Sequence, residues 1–528
     1  MRAAGGLAEP LRRLAGRVSG RVSGRVSGQF SEMRRGRRLA LHLVLGLAAG
    51  LGQAPWDWPL LTLLALVAVM ALARGATGPR GALADGFAFG LGYFGLALHW
   101  IVSPFLVDVA RHGWMAPFAL LFMASGAALF WALAFGLARW MRGGTAGLVA
   151  TLAGVEALRS LIFTGFPWAL IGHTLIDTPY AQLAAWVGPH GLTLAVLGTA
   201  AVILWLGARP ALVAVPVALA GLWIALDPGP AEPAPEGAPV VRLVQPNAVQ
   251  SQKWDPEMMG VFYGRLLAMT ATGPVPDLVV WPETAVPWLL EQAQGTLAEV
   301  ARAARGAPVV LGIQRREGTR YYNSLVVTLG DGEVAALYDK AHLVPFGEYI
   351  PYGEWLGRFG IQGLAASAGG GFSAGPGPAV IDLPGIGPAL PLICYEGIFA
   401  EEVNAAPRRP RLMLLITNDA WFGEVAGPYQ HFAQARLRAI EQGLPMVRVA
   451  NTGVSGMIDA RGRVTGQIAL GQAAFLDLPL PAALPPTPYS RTGDWPALAV
   501  MVFLQALALI RGRTVRAQIV VDPDRHAE

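Results

Sequence analysis

Residues 389–396 read ALPLICYE and residues 411–419 read RLMLLITND, two apolar runs of strand length that each end in polar residues. Further short apolar runs lie at 240–245, 277–282, 307–313 and 324–329. Stretches of helical character separate several of them, near 255–272, 290–305 and 428–442. Continuous apolar strands are typical of buried sheets, and their alternation with helices is typical of α/β proteins. This part of the chain therefore predicts an α/β sandwich.

A proline-rich linker at 228–239, PGPAEPAPEGAP, precedes the sandwich, and a long apolar region precedes the linker. A helix that spans a bilayer needs about 20 apolar residues, with some allowance for tilt and for flanking residues. Stretches almost free of charge meet this requirement repeatedly. We expect eight transmembrane helices, near 38–55, 58–75, 84–104, 114–139, 145–163, 182–207, 210–227 and, after the sandwich, 494–511.

The arginines are distributed unevenly around these helices. Residues 1–38 carry ten arginines and three RVSG repeats, and alternate loops hold Arg74, Arg80, Arg139, Arg142 and Arg209. The positive-inside rule then places both termini in the cytoplasm and the sandwich in the periplasm. The predicted division is a basic flexible tail at 1–38, seven transmembrane helices at 39–227, the linker, a catalytic domain at 240–493, an eighth helix at 494–511 and a cytoplasmic tail at 512–528.

The composition excludes several classes of protein. Of the 528 residues, 54% are hydrophobic and 14% are charged, which fits neither an ordinary soluble domain nor a disordered chain. Cys394 is the only cysteine, so an intramolecular disulfide and a cysteine-rich zinc site are excluded. The net charge of +5 comes from the tail, and no basic patch with interleaved aromatic residues is present. We expect no nucleic-acid partner, no metal and no cofactor.

Three side chains end or follow strand-like runs and could carry chemistry. Cys394 ends LPLIC, where a nucleophile would be displayed, although a lone cysteine in a strand is more often a small buried hydrophobe. Lys340 is one of two lysines among 40 basic residues, and its compact ammonium suits an oxyanion stabiliser as well as it suits a surface turn. Glu283 follows DLVVWP and fits either a general base or an acid at a helix start.

Further polar residues have two interpretations each. Glu348 and Glu396 lie near the other candidates in the sequence and either support catalysis or orient their neighbours by ordinary hydrogen bonding. His342 is interpreted as a structural or supporting residue. Glu156 and Arg159 are three residues apart in the fifth predicted helix, so they share a face and are expected to form a structural ion pair near the membrane interface.

The order Glu283, Lys340, Cys394 resembles the Glu-Lys-Cys triad of the nitrilase superfamily, whose fold is an αββα sandwich. The sequence from TNDAWFG to VANTGVSG also looks like later elements of that superfamily. Motifs on both sides of the linker together resemble the apolipoprotein N-acyltransferase family over about residues 40–512. These motifs are FTGFPWAL at 163–170, QSQKWDP at 250–256, WPET at 281–284, YDKAHLVPFGEY at 338–349, CYEGIF at 394–399 and TNDAWFG at 417–423.

The resemblance implies a bacterial inner-membrane enzyme that moves a fatty acyl chain from a phospholipid, usually phosphatidylethanolamine, to an apolipoprotein. The acceptor would be the α-amino group of the S-diacylglyceryl cysteine. Mapped onto this chain, Cys394 would form a thioester, Glu283 would be the general base and Lys340 would stabilise the oxyanion, with ping-pong kinetics. Glu348 and Glu396 match family positions and would support the triad.

Aromatic residues beside the motifs are candidates for lipid contact. We expect Trp254, Trp421 and Phe422 to contact substrate, with core packing as an equal alternative. The glycine-rich residues 363–378 predict a mobile loop, either a surface connection or a gate over the site; deleting glycines from a gate would slow turnover.

Two other functions are alternatives to the transferase. A membrane-anchored amidase of the nitrilase type would share the triad but leaves the apolar helices and FTGFPWAL unexplained. A transporter would need more ionisable residues within its spans than Glu156 and Arg159. We therefore favour the acyltransferase over both alternatives.

Overall fold

The computed structural model describes residues 34–75, 78–351 and 371–521, and for 514–521 the backbone alone. Most of the tail predicted at 1–38, much of the glycine-rich segment at 363–378 and the end of the C-terminal tail lie outside the described residues. In chain order the longer helices are α1 (Arg35–Gly50), α2 (Pro59–Ala73), α3 (Pro79–Ala97), α4 (Ala116–Trp140), α5 (Gly144–Arg159), α6 (Ala184–Leu206), α7 (Ala208–Leu226), α8 (Pro256–Ala271), α9 (Gln294–Ala304), α10 (Gly427–Gln442) and α11 (Trp495–Val521).

Each of the eight predicted membrane segments contains a helix, but helix length supports membrane crossing for only some of them. Within the described ranges, the helical segments long and apolar enough to span a bilayer are Val109–Trp140, Pro179–Leu206, Ala208–Leu226 and Trp495–Arg513. A fifth candidate joins α3 to the 3-10 helix His99–Leu106 across a bend of 48°. With 16, 15 and 16 residues, α1, α2 and α5 are shorter than a typical span. The predicted count of eight spans is therefore not confirmed.

Two of the predicted membrane helices have different ends in the structure. The helix predicted at 84–104 is broken after Ala97, and Pro104, which lacks an N–H donor, lies in the 3-10 helix that follows. The helix predicted at 145–163 ends at Arg159, and it cannot continue through Phe163 and Thr164, whose positive φ angles an α-helix does not allow.

Two glycines let α1 and α3 pack closely. A Cβ at Gly46 would lie 2.0 Å from the carbonyl oxygen of Phe89, and a Cβ at Gly92 would lie 2.1 Å from the carbonyl oxygen of Leu43. Larger residues at either position would push the two backbones apart, as small residues at other helix contacts in membranes indicate.

The predicted ion pair between Glu156 and Arg159 is present and buried. Nη2 of Arg159 lies 3.2 Å from Oε1 of Glu156, and Nε1 of Trp131 donates to the same oxygen at 2.8 Å. Arg159 also donates to the carbonyl oxygens of Phe166 and Trp168, at 2.6 and 2.9 Å. The pair therefore fixes the FTGFPWAL segment that follows α5.

The sandwich contains twelve strands in two sheets within the described residues. The strands are β1 (Val240–Gln245), β2 (Leu278–Val280), β3 (Val309–Glu317), β4 (Arg320–Thr328), β5 (Val334–Asp339), β6 (Ile381–Leu383), β7 (Gly387–Ile393), β8 (Leu412–Thr417), β9 (Met446–Ala450), β10 (Ser455–Ile458), β11 (Val464–Ile468) and β12 (Ala474–Pro479). The first sheet has the order β12-β1-β2-β3-β4-β5 and the second β11-β10-β9-β8-β7-β6. Strands β1, β2 and β3 are parallel, as are β7, β8 and β9.

The two sheets pack face to face. Val241 and Val280 of the first sheet share one apolar cluster with Ile393, Leu414 and Val449 of the second. Helices α8 and α9 cover the outer face of the first sheet, and α10 covers the outer face of the second. The predicted α/β sandwich is therefore present, and burial on both faces explains why its inner strands read as continuous apolar runs.

Several strand predictions need correction. The strand predicted at 389–396 ends at Ile393, and Cys394 begins a 3-10 turn instead. Strands β5, β6, β11 and β12 were not among the six predicted runs; each forms a sheet edge and pairs with a neighbouring strand on one side only. Strands β9 and β10 were anticipated only from the resemblance.

A buried glutamine joins the sandwich to the membrane region. Nε2 of Gln430, on α10, donates to the carbonyl oxygens of Ala54 and Ala97 at 3.0 and 3.1 Å. Its Oε1 accepts a hydrogen bond of 2.6 Å from Nε1 of Trp168. One side chain therefore connects three segments of the membrane region to the sandwich.

Replacement of this glutamine is expected to loosen that connection. In Gln430→Ala, the buried indole N–H of Trp168 and two carbonyl groups lose their partner, and the free energy of unfolding should fall by about 2–3 kcal/mol. Thermal unfolding in detergent measures the effect. The exposed Gln294→Ala is the matched control, and equal midpoints for the two variants would contradict the expectation.

Candidate active site

The three predicted catalytic residues follow the ends of three strands. Glu283 lies shortly after β2, Lys340 directly follows β5 and Cys394 directly follows β7. Nζ of Lys340 lies 3.7 Å from Oε1 of Glu283. Both side chains act electrostatically on the buried thiol of Cys394. The structure thus brings together a carboxylate, an ammonium and a thiol from distant parts of the chain.

The carboxylate of Glu283 is held from two sides. Nδ2 of Asn323, on β4, donates to Oε1 at 2.6 Å, and the backbone N–H of Asn418, after β8, donates to Oε2 at 2.7 Å. The residue is only 6% exposed. Because both oxygens have fixed donors, the carboxylate keeps a defined direction, which a general base requires.

A glycine on β3 makes room for the turn that carries Glu283. A Cβ at Gly312 would lie 2.4 Å from the backbone nitrogen of Thr284 and 2.6 Å from Cα of Glu283. Gly312→Ala is expected to displace this turn and to lower the free energy of unfolding by about 1–3 kcal/mol. Thermal unfolding measures the effect. In the control Gly264→Ala, on α8, the new Cβ meets nothing within 4 Å, so equal stability of the two variants would refute the steric argument.

Lys340 is buried rather than part of a surface turn. Its Nζ lies 2.9 Å from Oε1 and 2.8 Å from Oε2 of Glu348. Burial alone lowers the pKa of Lys340, but the carboxylates of Glu348 and Glu283 outweigh burial, and the pKa of Lys340 is raised. The side chain therefore stays an ammonium at neutral pH, as an electrostatic stabiliser of an oxyanion must.

Cys394 has an unusual backbone conformation. Its φ is 53°, in the left-handed region that residues other than glycine rarely adopt. The carbonyl oxygen of Cys394 lies 3.2 Å from Nε2 of the buried His431. His431 in turn contacts the carboxylate of Asp419 at 2.9 Å, and Nη2 of Arg448 donates to that carboxylate at 2.6 Å. This buried group of hydrogen-bonded side chains supports the strained turn after β7.

The thiol of Cys394 is protonated at rest. Burial raises its pKa and the charge of Glu283 raises it further, whereas Lys340 and a hydrogen bond with Thr417 act in the opposite direction. The net result is a pKa above the usual value for cysteine. Nucleophilic attack by this thiol therefore requires a base that removes the proton.

Glu396 connects the end of β5 to the end of β7. Its Oε1 accepts hydrogen bonds from the Tyr338 hydroxyl at 2.7 Å and from the backbone N–H groups of Ala341 and His342 at 2.7 and 3.2 Å. Its Oε2 accepts from the backbone N–H of Ile393 at 2.7 Å. Burial raises the pKa of Glu396 to about 7 in spite of these donors. Glu396 thereby fixes the turns that carry Lys340 and Cys394 relative to each other.

The three predicted aromatic contacts have different surroundings. Trp254 is 44% exposed and lines a cavity that Glu283 also lines. Trp421 is 37% exposed. Phe422 packs against Trp100, with ring centroids 5.0 Å apart, so it belongs to the contact between sandwich and membrane region. Trp254 thus shares a small cavity with Glu283, and Phe422 packs between sandwich and membrane region, while substrate contact by any of the three stays a prediction.

Sequence reasoning missed three polar residues that contact the backbone or the carboxylate of Glu283. Lys253 donates to the carbonyl oxygen of Glu283 at 3.3 Å and to Oγ1 of Thr284 at 2.6 Å. The other two are Asn323 and Asn418. Lys253 could have been found as the second of only two lysines, and Asn418 as part of TNDAWFG. Nothing in the sequence singled out Asn323.

The arrangement suits acyl transfer through a covalent intermediate. A thiol beside a carboxylate and a fixed ammonium has a nucleophile, a base and an electrostatic stabiliser within one buried group. No cluster of three or more metal-binding side chains occurs in the part of the chain that the structure describes.

Comparison with known proteins defines the class of the sandwich. Residues 243–475 match the carbon-nitrogen hydrolase family, and residues 45–202 match the apolipoprotein N-acyltransferase N-terminal domain. An amidase from Nesterenkonia sp. is 22% identical with a TM-score of 0.34, covering 47% of this chain and 92% of that chain. A CN-hydrolase superfamily protein from Xanthomonas campestris is 23% identical with a TM-score of 0.35, covering 50% and 96%. The family match identifies the sandwich as a carbon-nitrogen hydrolase domain.

Relatives that match most of the chain define the family. An apolipoprotein N-acyltransferase from Rhodopseudomonas palustris is 37% identical over 503 residues, which are 88% of this chain and 93% of the relative. An apolipoprotein N-acyltransferase from Sinorhizobium fredii is 40% identical over 432 residues, or 76% and 80% of the two chains. The chain belongs to the apolipoprotein N-acyltransferase family. Its long apolar helices are consistent with a membrane protein.

Proposed function

We propose that this protein transfers a fatty acyl chain from a phospholipid, with phosphatidylethanolamine as the expected donor, to apolipoproteins. The acceptor is the α-amino group of their S-diacylglyceryl cysteine. The observation that carries the proposal is the buried group in which the ammonium of Lys340 lies 3.7 Å from the carboxylate of Glu283, beside the thiol of Cys394. Family membership suggests the lipoprotein acceptor, and the grouping of a thiol with a carboxylate and an ammonium suggests an acyl-enzyme on Cys394.

In the first half-reaction Cys394 takes the acyl group. Glu283 accepts the thiol proton, and the sulfur attacks the ester carbonyl of the phospholipid. Lys340 stabilises the negative charge that develops on the carbonyl oxygen. The carbon–oxygen bond to glycerol then breaks, the proton on Glu283 passes to the departing oxygen, and lysophospholipid leaves. The product is a thioester on Cys394.

In the second half-reaction the lipoprotein amine takes the acyl group. The amine must be neutral to attack, and an α-amino group with a pKa near 8 has an accessible neutral fraction. Attack on the thioester forms the amide bond, again with Lys340 facing the oxyanion. Glu283 accepts a proton from the amine, and the sulfur of Cys394 leaves and is reprotonated. Because one site serves both substrates in turn, the kinetics are ping-pong.

The proposed architecture places this site beside a bilayer. Eight membrane helices at 39–227 and 494–511, with a catalytic domain at 240–493, would hold the site next to two lipid-anchored substrates. The arginine distribution supports cytoplasmic termini and a periplasmic catalytic domain in the inner membrane. Trp254 and Trp421 are both exposed and are the aromatic candidates for contact with an acyl chain.

Product analysis tests the proposal against the amidase alternative. The purified protein is incubated in vesicles with phosphatidylethanolamine that carries a deuterated sn-1 acyl chain, together with a diacylated lipopeptide. A transferase yields lipopeptide heavier by one labelled acyl chain and an equal amount of lysophospholipid. Labelled free fatty acid with unmodified peptide, or ammonia released from a small amide in a parallel reaction, would contradict the proposal and favour hydrolysis.

A further inference from the structure

The two lysines of the chain both contact Glu283. Lys340 approaches its carboxylate at 3.7 Å, and Lys253 donates to its backbone carbonyl oxygen at 3.3 Å. Lys253 also donates to Oγ1 of the next residue, Thr284, at 2.6 Å. The mechanism above uses Lys340 and leaves Lys253 without a role.

Lys253 is buried at a cost that packing alone does not explain. Its side chain is 7% exposed, and among the described residues it forms no ion pair within 4.0 Å. Burial lowers the pKa of Lys253 to about 8, and the negative charge of Glu283 offsets only part of this shift. A buried ammonium without a close carboxylate is unfavourable, and a methionine would fill similar space without that cost. The retained charge therefore indicates a function.

The turn that Lys253 contacts is strained and needs support. Thr284 has a φ of 45°, which is unfavourable for a β-branched residue. Gly312 lies directly against the same turn, so the backbone of Glu283 and Thr284 has no room to relax toward β3. Lys253 donates one hydrogen bond to each of the two residues of this turn. These bonds fix the backbone of Glu283 and therefore the position of its Cα, to which the side chain is attached.

The segment that carries Lys253 also reaches Glu283 by a second route. Oε1 of Gln250 accepts a hydrogen bond of 2.8 Å from Nδ2 of Asn418, whose backbone N–H donates to the Glu283 carboxylate. Residues 250–254 thus contact both the backbone of Glu283 and a donor to its side chain. The segment ends at the exposed Trp254, which lines the cavity beside Glu283.

From these contacts we infer that Lys253 is a positioning residue, which holds the Glu283–Thr284 turn so that the carboxylate of Glu283 is directed at the thiol of Cys394. The inference rests on the proposed role of Glu283 as general base. It concerns the activation of the thiol, and it can therefore be tested without any phospholipid.

The test uses the fact that Cys394 is the only cysteine. The rate constant for its alkylation by iodoacetamide is measured by intact mass spectrometry in wild type, Lys253→Met, Thr284→Val and the double variant. Lys253→Met should slow alkylation by about ten- to hundredfold, as expected when a reacting group is misplaced by about 1 Å. Thr284→Val, which removes the acceptor of the shorter hydrogen bond, should slow it less. Thermal midpoints are recorded for all four proteins.

The double variant distinguishes positioning from a general loss of structure. If Lys253 acts through Thr284, the double variant should alkylate no more slowly than Lys253→Met, because the contact is already lost. The inference would be overturned if the two substitutions slowed alkylation independently, so that the double variant showed the product of the two single effects. It would also be overturned if Lys253→Met were alkylated within twofold of the wild-type rate. If Lys253→Met does not fold, the test rests on Thr284→Val, and a wild-type alkylation rate in that variant rejects the inference. If the wild-type protein forms no acyl adduct with phospholipid, the proposed function is rejected. The alkylation rates would still test the role of Lys253, because they require no phospholipid.

Discussion

Cys394→Ala is expected to abolish acyl transfer. Loss of the nucleophile of a catalytic triad reduces turnover by about 10⁶-fold in a well-studied case, and no other cysteine in this chain could replace it. Lipopeptide acylation and lysophospholipid release should both fall to background when they are followed by mass spectrometry. The thermal midpoint should stay close to that of the wild type, because alanine removes one small buried atom.

The matched control is Cys394→Ser, which keeps a smaller and far weaker nucleophile at the same strained turn. It should fold like the wild type and transfer acyl groups at a barely measurable rate. Transfer by Cys394→Ala at more than one hundredth of the wild-type rate would contradict the role proposed for the thiol.

Glu283→Gln should give the second largest effect. The amide keeps the size of the side chain but cannot remove the thiol proton, and general-base catalysis contributes about 10²–10⁴-fold. Because burial alone still raises the pKa of Cys394 in this variant, few molecules would hold a thiolate without the base. We expect the rate of acylation by phosphatidylethanolamine to fall about 10³-fold.

The control for this variant is Glu299→Gln on α9, whose carboxylate accepts a hydrogen bond from Tyr263 at 3.0 Å, outside the triad. It should acylate at the wild-type rate. At high pH, where hydroxide can take the thiol proton, Glu283→Gln should recover part of its acylation rate. A Glu283→Gln rate within tenfold of wild type at neutral pH would show that another group is the base.

The inner part of the fold was predictable from the sequence because burial on both faces leaves a strong signal. Strands β7 and β8 are apolar at nearly every position, and each of their ends was predicted to within three residues. The sheet edges gave no such signal; in β5 the first four residues are exposed or half-buried and only the last two are buried. The strained turn at Cys394 was also missed, because apolar composition does not report the sign of φ.

Contacts between distant segments were not predictable. Gln430 joins α10 to Ala54, Ala97 and Trp168, and no local pattern marks a glutamine that bonds across the fold. The triad was placed by the order of strand ends and by resemblance, whereas its hydrogen-bond partners required the geometry of both sheets. The number of membrane spans remains a prediction, since α1, α2 and α5 are shorter than a standard span.

The most direct test of the mechanism is the intact mass of the wild-type protein after brief incubation with phosphatidylethanolamine alone. We predict a mass increase of one acyl group, lost on treatment with hydroxylamine and absent from Cys394→Ala. Addition of a diacylated lipopeptide should then discharge the adduct in equal amount onto the peptide amine. Acylated lipopeptide formed without any such adduct would show direct transfer and would contradict a thioester on Cys394.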